Sequence, residues 1–299
     1  MNVKDLSMNN KYVMITGANS GIGKETAIAL ARKGAYIIML CRSREKAEKA
    51  MFEIKERAGT ENIDLIIADL SDQKTIYSAV EEFKAKFDRL DVLINNAGSI
   101  LKERQETEEG YEMTFAVNHL GHFLLTLLLL DVLIRSAPSR IINVSSAAHR
   151  FGNLDLRHIN FEDKYSSFRT YSNSKLANVL FTYELARRLE GTGVSVNALH
   201  PGVVNSNFGK GQFSKLLTPF VAFSTLFLIN PEKGAKTSVY LASSDDVKEV
   251  SGKYFKKQKA VKSSKASYNE KTQKELWKLS LAMVNKQELF LNNSALLKN

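Results

Sequence analysis

Tyr171 and Lys175 stand four residues apart in Tyr171-Ser172-Asn173-Ser174-Lys175, and on a helix that spacing puts both side chains on one face. A phenol with a pKa of about 10 is a poor base at neutral pH, but a neighbouring ammonium stabilises the phenolate and lowers that value. Tyr171 could then exchange a proton with a substrate oxygen. Taken alone the pair means little, because Tyr and Lys meet at this spacing in many helices. Upstream, Ser145-Ser146 follows an apolar run, and neighbours at a strand end point to opposite faces, so one hydroxyl of the two can look into a site.

A second chemical signal is Thr16-Gly17-Ala18-Asn19-Ser20-Gly21-Ile22-Gly23, set between a β-rich run at 12–16 and a helical pattern at 24–33. Glycines let the backbone turn tightly and approach a pyrophosphate, whose charge suits the free amides and dipole of a helix start. Gly17, Asn19, Ser20, Gly21, Ile22 and Gly23 are therefore candidate cofactor contacts. A plain strand-to-helix turn also uses glycine, but the strand before and the helix after favour a dinucleotide. Folds that select NAD usually end the second strand on an acid that binds the ribose hydroxyls. Here Cys41-Arg42 stands there, with Arg44 and Lys46 close behind. A carboxylate would repel a 2′-phosphate, whereas the Arg42 guanidinium can hold it, so NADP(H) is the expected cofactor. Asp69 and Leu70 follow the third strand and are expected near the adenine. Asn96, Ala97 and Gly98 of Asn95-Asn96-Ala97-Gly98 end the fourth and leave room for close approach. Taken alone, that tetrapeptide reads as a turn.

These groups need a scaffold that gathers them. Short β-rich runs at 12–16, 35–41, 63–68, 92–95, 140–144 and 195–199 alternate with helical patterns, and a further strand is expected at 253–255. Buried strands joined by crossovers make a mostly parallel sheet, because each crossover returns the chain to the same end of the sheet. The expected fold class is α/β, a single-domain Rossmann doubly wound parallel sheet of about seven strands with helices on both faces. Residues 1–10 read as a polar N-terminal segment, 11–255 as the dinucleotide-binding catalytic domain, and 256–299 as a basic helical tail containing Trp277.

Composition narrows the classes. With 44% hydrophobic and 25% charged residues over 299 positions, the chain reads as an ordinary globular protein. The single Cys41 cannot form an intrachain disulfide, and without a C-x-x-C or Cys/His cluster no metal is expected. The polar start leads straight into the first strand without the apolar stretch of a signal peptide or anchor, so the expected location is cytoplasmic, without membrane association. Apolar runs at 123–133 and 220–229 fall short of the roughly 18 residues of a membrane span and read as buried helix. The net charge of +10 is concentrated late, with eleven lysines against three glutamates from Gly252 onward. Lys256, Lys257, Lys259, Lys262 and Lys265 have no interleaved aromatics, so this is expected to be a solvated basic surface and no nucleic-acid partner is expected.

Together the glycine-rich Thr16–Gly23 segment, Asn95-Asn96-Ala97-Gly98, the serine and Tyr171-x-x-x-Lys175 occur in the order that resembles the short-chain dehydrogenase/reductase family, over about residues 10–255. The resemblance implies Tyr171 as acid/base, Lys175 as its activator and a ribose ligand, Ser146 as donor to the substrate oxygen, and Asn118 as holder of a proton-relay water. Pro201, Gly202, Val204 and Ser206 would lie by the nicotinamide. Leu40-Cys41-Arg42, Ser174-Lys175-Leu176-Ala177-Asn178-Val179-Leu180-Phe181 and His200-Pro201-Gly202-Val203-Val204 are similar to the retinol dehydrogenase branch. Retinoid-acting members of that branch commonly carry an N-terminal anchor, and the Lys-rich stretch after Phe255 departs from the pattern, so no retinoid is assigned. The implied activity is hydride transfer between NADP(H) and the carbonyl or hydroxyl carbon of an apolar aldehyde, ketone or alcohol. Phe208, Phe213, Leu216, Leu217 and Phe220 themselves read as an apolar lid or, almost as well, as an ordinary buried helix. A noncatalytic NADP-binding sensor on the same fold is the alternative, and an epimerase would need a longer substrate domain. The family resemblance also implies a homodimer or larger homo-oligomer, paired through helices around 114–133 and 171–188.

Overall fold

The computed structural model describes residues 7–160, 165–202 and 230–285. Strands β1 (Tyr12–Thr16), β2 (Tyr36–Cys41), β3 (Ile63–Ile67), β4 (Val92–Asn95), β5 (Ser139–Val144), β6 (Val194–His200), β7 (Lys253–Lys256) and β8 (Lys259–Val261) form one sheet in the order β3-β2-β1-β4-β5-β6-β7-β8. The seven strands expected from sequence are all present and parallel, with Ile15 opposite Met39 on one side and Ile94 on the other. β8 adds an eighth, antiparallel to β7. Lys257 and Gln258, at φ 52 and 62, make the tight turn between them. This is the mirror-type turn that suits the twist of a two-residue hairpin.

The sheet is buried on both faces, and the strands show it residue by residue. Met14, Ile38, Leu40 and Leu93 point into one core. Val13, Ile15, Ile37, Met39, Val92 and Ile94 point into the other. The period of two is intact, but both phases are apolar, which is why these strands read as continuous apolar runs. Helices α1 (Gly21–Arg32), α2 (Arg44–Ala58) and α6 (Pro231–Ser243) cover the second core. Helices α3 (Gln73–Lys86), α4 (Gly121–Arg135), α5 (Ser167–Arg188) and α7 (Glu270–Met283) cover the first. Polar residues at the helix starts stop them locally. Ser43 accepts from the Lys46 amide, Asp72 from Lys74, Ser166 from Arg169 and Asn269 from Thr272, each cap contributing about 1 kcal/mol.

The apolar run inside α4 is core. Met113–Arg135 is long and apolar enough to cross a bilayer by composition, at a hydropathy of 1.8, yet 78% of its most apolar window is buried inside the protein. Phe123, Leu124, Leu125, Leu129 and Leu130 are completely enclosed, each side chain contributing about 1.5–3 kcal/mol on burial. The run at 220–229 and the lid residues Phe208, Phe213, Leu216, Leu217 and Phe220 lie outside the described residues.

The described part of the segment after Phe255 is knitted into the body. Trp277 of α7 meets Phe123 edge-on at 5.1 Å and stacks on Phe181 at 5.9 Å, while the Arg188 guanidinium lies 4.5 Å from its indole. Ser280 bonds to His119 at 3.0 Å. The lysines before it remain on the surface, with Lys256, Lys257, Lys259, Lys262 and Lys265 all exposed. α7 thus packs along α5 and reaches the start of α4 through Trp277 and Phe123.

Strand order reverses between β1 and β4, and in an open parallel sheet such a reversal leaves a crevice outside the carboxyl ends of the strands. Thr16 ends β1, Asn95 ends β4 and Val144 ends β5. The glycine-rich turn, Asn96-Ala97-Gly98 and Ser145-Ser146 therefore converge on one edge.

Candidate active site

At the β1 end the chain closes on itself tightly. Gly17 and Gly21 have φ of 68 and 54, a region costly for any residue with a Cβ. A Cβ on Gly23 would lie 2.4 Å from the Gly17 carbonyl oxygen and 2.5 Å from Asn96 Nδ2. The glycines thus let α1 start directly against the turn. At that start the Ser20 side chain makes no capping bond and no acid occupies the first turn. The helix presents open amides and a positive dipole end to the crevice, the arrangement that receives a pyrophosphate. Below it, the Cys41 thiol accepts from the Ala18 and Asn19 amides, and burial pushes its pKa up to about 11, so it is an unreactive brace.

Thr16 ties this turn to the next. Its hydroxyl accepts from the Asn96 amide at 2.8 Å and the Ala97 amide at 2.9 Å, and Asn96 Nδ2 donates to the Thr16 carbonyl at 2.8 Å. Asn96 and Ala97 are thereby fixed beside Gly17, whose own Cβ would sit 3.1 Å from Ala97. At the end of β2, Arg42 is 73% exposed on its side chain and lies 3.5 Å from Asp69. The two residues expected at the adenosine end are thus neighbours. Asp69 is also bonded to the Ser71 amide and hydroxyl at 2.9 and 2.7 Å. Leu70 is buried, and its carbonyl would be 2.3 Å from a Cβ on Gly121, so α4 approaches this turn closely.

The strand-end serines differ as neighbours on a strand must. Ser145 turns inward, donating to the Lys175 carbonyl at 2.8 Å, and is buried. Ser146 faces the crevice, caps the following turn by accepting from the Ala148 amide at 3.2 Å, and is bonded to the Tyr171 phenol. Tyr171 and Lys175 share one face of α5, with Lys175 Nζ 5.7 Å from the ring centre and donating to the Val144 carbonyl at 3.1 Å. The electrostatics depart from the sequence expectation. Burial pushes the Tyr171 phenol up to about 12, with the Ser146 bond pulling the other way, and pushes Lys175 down to about 8. Desolvation is the main cause of both shifts and disfavours both charged forms here.

Asn118 lies in a π-helical turn (Ala116–Leu120) leading into α4. Such turns free a carbonyl from the helical ladder. Its side chain bridges Ser99 and Ser174, donating to the Ser99 carbonyl at 2.9 Å and to Ser174 Oγ at 3.0 Å. Its carbonyl accepts from Asn178 Nδ2 at 3.0 Å. His122 Nδ1 is 3.1 Å from the same carbonyl. A carbonyl cannot donate, so Nδ1 carries the proton and Nε2 accepts from the Thr16 hydroxyl at 2.9 Å. His122 is buried and held near a pKa of about 3 by desolvation, so it stays neutral. Through it, the turns after β1 and β4 are tied to Asn118.

The sequence holds no signal for His122, because a buried histidine has no spacing signature of its own, while His149 enters only at the start of a pocket-lining stretch, 149–170, and Asn178 only within a motif. His200 was read only as part of a motif. Its Nδ1 accepts from the Ala147 amide at 3.2 Å and the Gly202 amide at 3.4 Å, joining the Ser146 turn to Pro201-Gly202. Val204 and Ser206 lie outside the described residues.

A dinucleotide crevice with a serine, a tyrosine and a lysine gathered at one end defines the nicotinamide-dependent oxidoreductases built on this sheet. A family model described as short chain dehydrogenase matches residues 11–216, and the chain belongs to that family. It is 46% identical over 289 residues to retinol dehydrogenase 14 of Mus musculus, covering 93% of this chain and 86% of that one. It is 44% identical over 282 residues to retinol dehydrogenase 12 of Homo sapiens, covering 94% and 88%. Among solved structures, an uncharacterised protein from Mycobacterium paratuberculosis superposes with a TM-score of 0.75 at 34% identity, covering 93% of this chain and 94% of that one. A chain from Beutenbergia cavernae with bound NADP superposes with a TM-score of 0.68 at 27% identity, covering 84% and 96%. The chain is thus a short-chain oxidoreductase of the retinol dehydrogenase-like branch.

Proposed function

We propose that this protein is an NADP(H)-dependent carbonyl reductase or alcohol dehydrogenase acting on an apolar aldehyde, ketone or alcohol. The observation that carries the reading is the Ser146–Tyr171 hydrogen bond beside buried Lys175, at the same sheet edge as the open start of α1. When bound, the nicotinamide supplies or accepts the hydride. The chain's own residues do the rest. Ser146 donates its hydroxyl to the substrate oxygen, and Tyr171 passes its phenolic proton to that oxygen as negative charge develops on it, or takes the proton in the reverse direction. A phenol held near pKa 12 is protonated at neutral pH, which suits carbonyl reduction. Lys175 lies one helical turn away to hold the ribose and to steady a phenolate when it forms, and Asn118 keeps the relay water.

The preference for NADP(H) is supported by Arg42, exposed at the end of β2 where an NAD-selecting acid would stand, and by the NADP bound to the related solved chain. The names of the relatives make retinal one member of the apolar class to try. The protein is read as a cytoplasmic homo-oligomer, and sedimentation equilibrium tests the association. The direct test of function is a panel of apolar aldehydes, ketones and retinal assayed with NADPH and NADH. Turnover that falls about 10² to 10⁴-fold in Tyr171→Phe with NADPH affinity retained is the expected result. NADPH binding without turnover of any carbonyl or alcohol would instead favour the noncatalytic sensor.

A further inference from the structure

His149 is completely buried on the turn that follows Ser146. Its Nε2 lies 3.0 Å from the backbone N–H of Ser264. An amide N–H can only donate, so Nε2 is the acceptor and the ring proton sits on Nδ1. Nδ1 then donates to the Ser146 carbonyl at 2.6 Å, a bond added to the one that carbonyl already accepts from the His149 amide at 3.1 Å. The ring is held in place by Tyr254 of β7, 4.7 Å away. On the other side of this bridge, the Ser264 segment is rigid. Ser263 Oγ bonds to Tyr183 at 2.7 Å and to Ser267 at 2.6 Å, the Ser263 amide donates to Tyr268 at 3.1 Å, and Gln273 Nε2 holds the Ser267 carbonyl at 2.7 Å. Arg150 adds a bond to the Lys262 carbonyl and one to Ser263.

We infer that His149 is a positioning residue that sets Ser146 against Tyr171, using the segment 262–268 as its anchor. The inference rests on the proposed role of Ser146. It assigns a task to a stretch lying beyond residues 11–216, outside the family match: that stretch fixes the reach of the serine hydroxyl from 115 or more residues away along the chain. A hydroxyl donor works on a developing charge only if it is held in place before that charge appears, and a misplacement of about 1 Å can cost about 10²-fold in rate.

The test is a double-mutant cycle on the full chain with a carbonyl substrate found in the panel. His149→Phe keeps a ring against Tyr254 and removes both bonds. It is expected to lower kcat by about 10- to 100-fold, with NADPH Kd within about twofold of wild type. In the Ser146→Ala background the same change is expected to cost less than about twofold, because there is no hydroxyl left to position. Ser264→Pro is the second variant, for use if His149→Phe does not fold. Ser264 has φ −70 and ψ 152, which the proline backbone accepts, and the substitution removes the amide that Nε2 bonds and puts the proline Cδ in its place, so the imidazole is pushed off its anchor. It should give the same pattern of losses. Losses from His149→Phe and Ser146→Ala that multiply, or wild-type kcat in either anchor variant, overturn the inference while leaving Ser146 its role. Full turnover in Ser146→Ala alone removes the reading of Ser146 and the inference with it.

Discussion

Gly23→Ala is the sharpest way to ask whether the cofactor sits where the turn after β1 meets α1. The added Cβ would lie 2.4 Å from the Gly17 carbonyl oxygen and 2.5 Å from Asn96 Nδ2. Contacts under 3.0 Å are essentially never seen for a real Cβ, and the nearer atom is backbone. Gly17 is held by its amide bond to the Leu40 carbonyl at 2.8 Å, and Asn96 by its bond to Thr16 at 2.8 Å. Relief therefore requires α1 and the turn to part by about 1 Å, an overpacking cost of about 1–3 kcal/mol. The same movement displaces the helix amides from a bound phosphate. Losing one charge-assisted hydrogen bond of about 1.5–3 kcal/mol raises Kd for NADPH roughly 10- to 150-fold. The assay is NADPH titration followed by fluorescence, with thermal unfolding alongside. Gly59→Ala is the control, because φ there is 68 but nothing lies within 4 Å of the new Cβ. It should cost about 1–2 kcal/mol of stability and leave Kd unchanged. If Gly23→Ala binds NADPH within twofold of wild type, the cofactor is not seated on this turn.

The two serines should separate cleanly: Ser146→Ala loses roughly 10² or more in turnover, whereas Ser145→Ala, which removes the bond to the Lys175 carbonyl, loses stability first. The reverse ranking would shift the register by one residue. Arg42→Asp should exchange a preference for NADPH over NADH for the opposite one, read from both dissociation constants, and equal preference in the two proteins would refute the assignment. Lys175 is buried with its pKa pushed down to about 8, so between about pH 8 and its unfolded value near 10.4 the unfolded chain binds the extra proton. Stability from this residue therefore rises with pH across that window and is lost as pH falls through it, by a few kcal/mol in all. The slope of Tm against pH should be smaller in Lys175→Met than in wild type, and equal slopes would contradict the buried, desolvated amine.

Much of the fold is written locally in the sequence. Strands β1, β2 and β4 are near-continuous apolar runs because both faces of this sheet are covered, and every helix start but that of α4, which follows Leu120, carries a residue able to cap it, a signal that needs no knowledge of the partners. Gly17 and Gly21 announce the turn through backbone freedom and Gly23 through its missing Cβ, and the four-residue spacing of Tyr171 and Lys175 places them on one face of any helix. Which serine looks into the site was legible as a choice between two. What chain order could not supply was the desolvation that puts Tyr171 near 12 and Lys175 near 8, since burial belongs to the assembled core. Nor could it supply the partners of His122, which joins Thr16 to Asn118 across 102 residues, or of His149, which reaches Ser264. The place of Trp277 between Phe123 and Phe181 was equally hidden, because a lysine-rich stretch reads as surface until its apolar face is seen against α4 and α5. Hydrogen bonds and ring contacts between residues this distant in sequence exist only once the sheet has brought its strand ends together, and that is the part of this protein the tertiary structure alone decided.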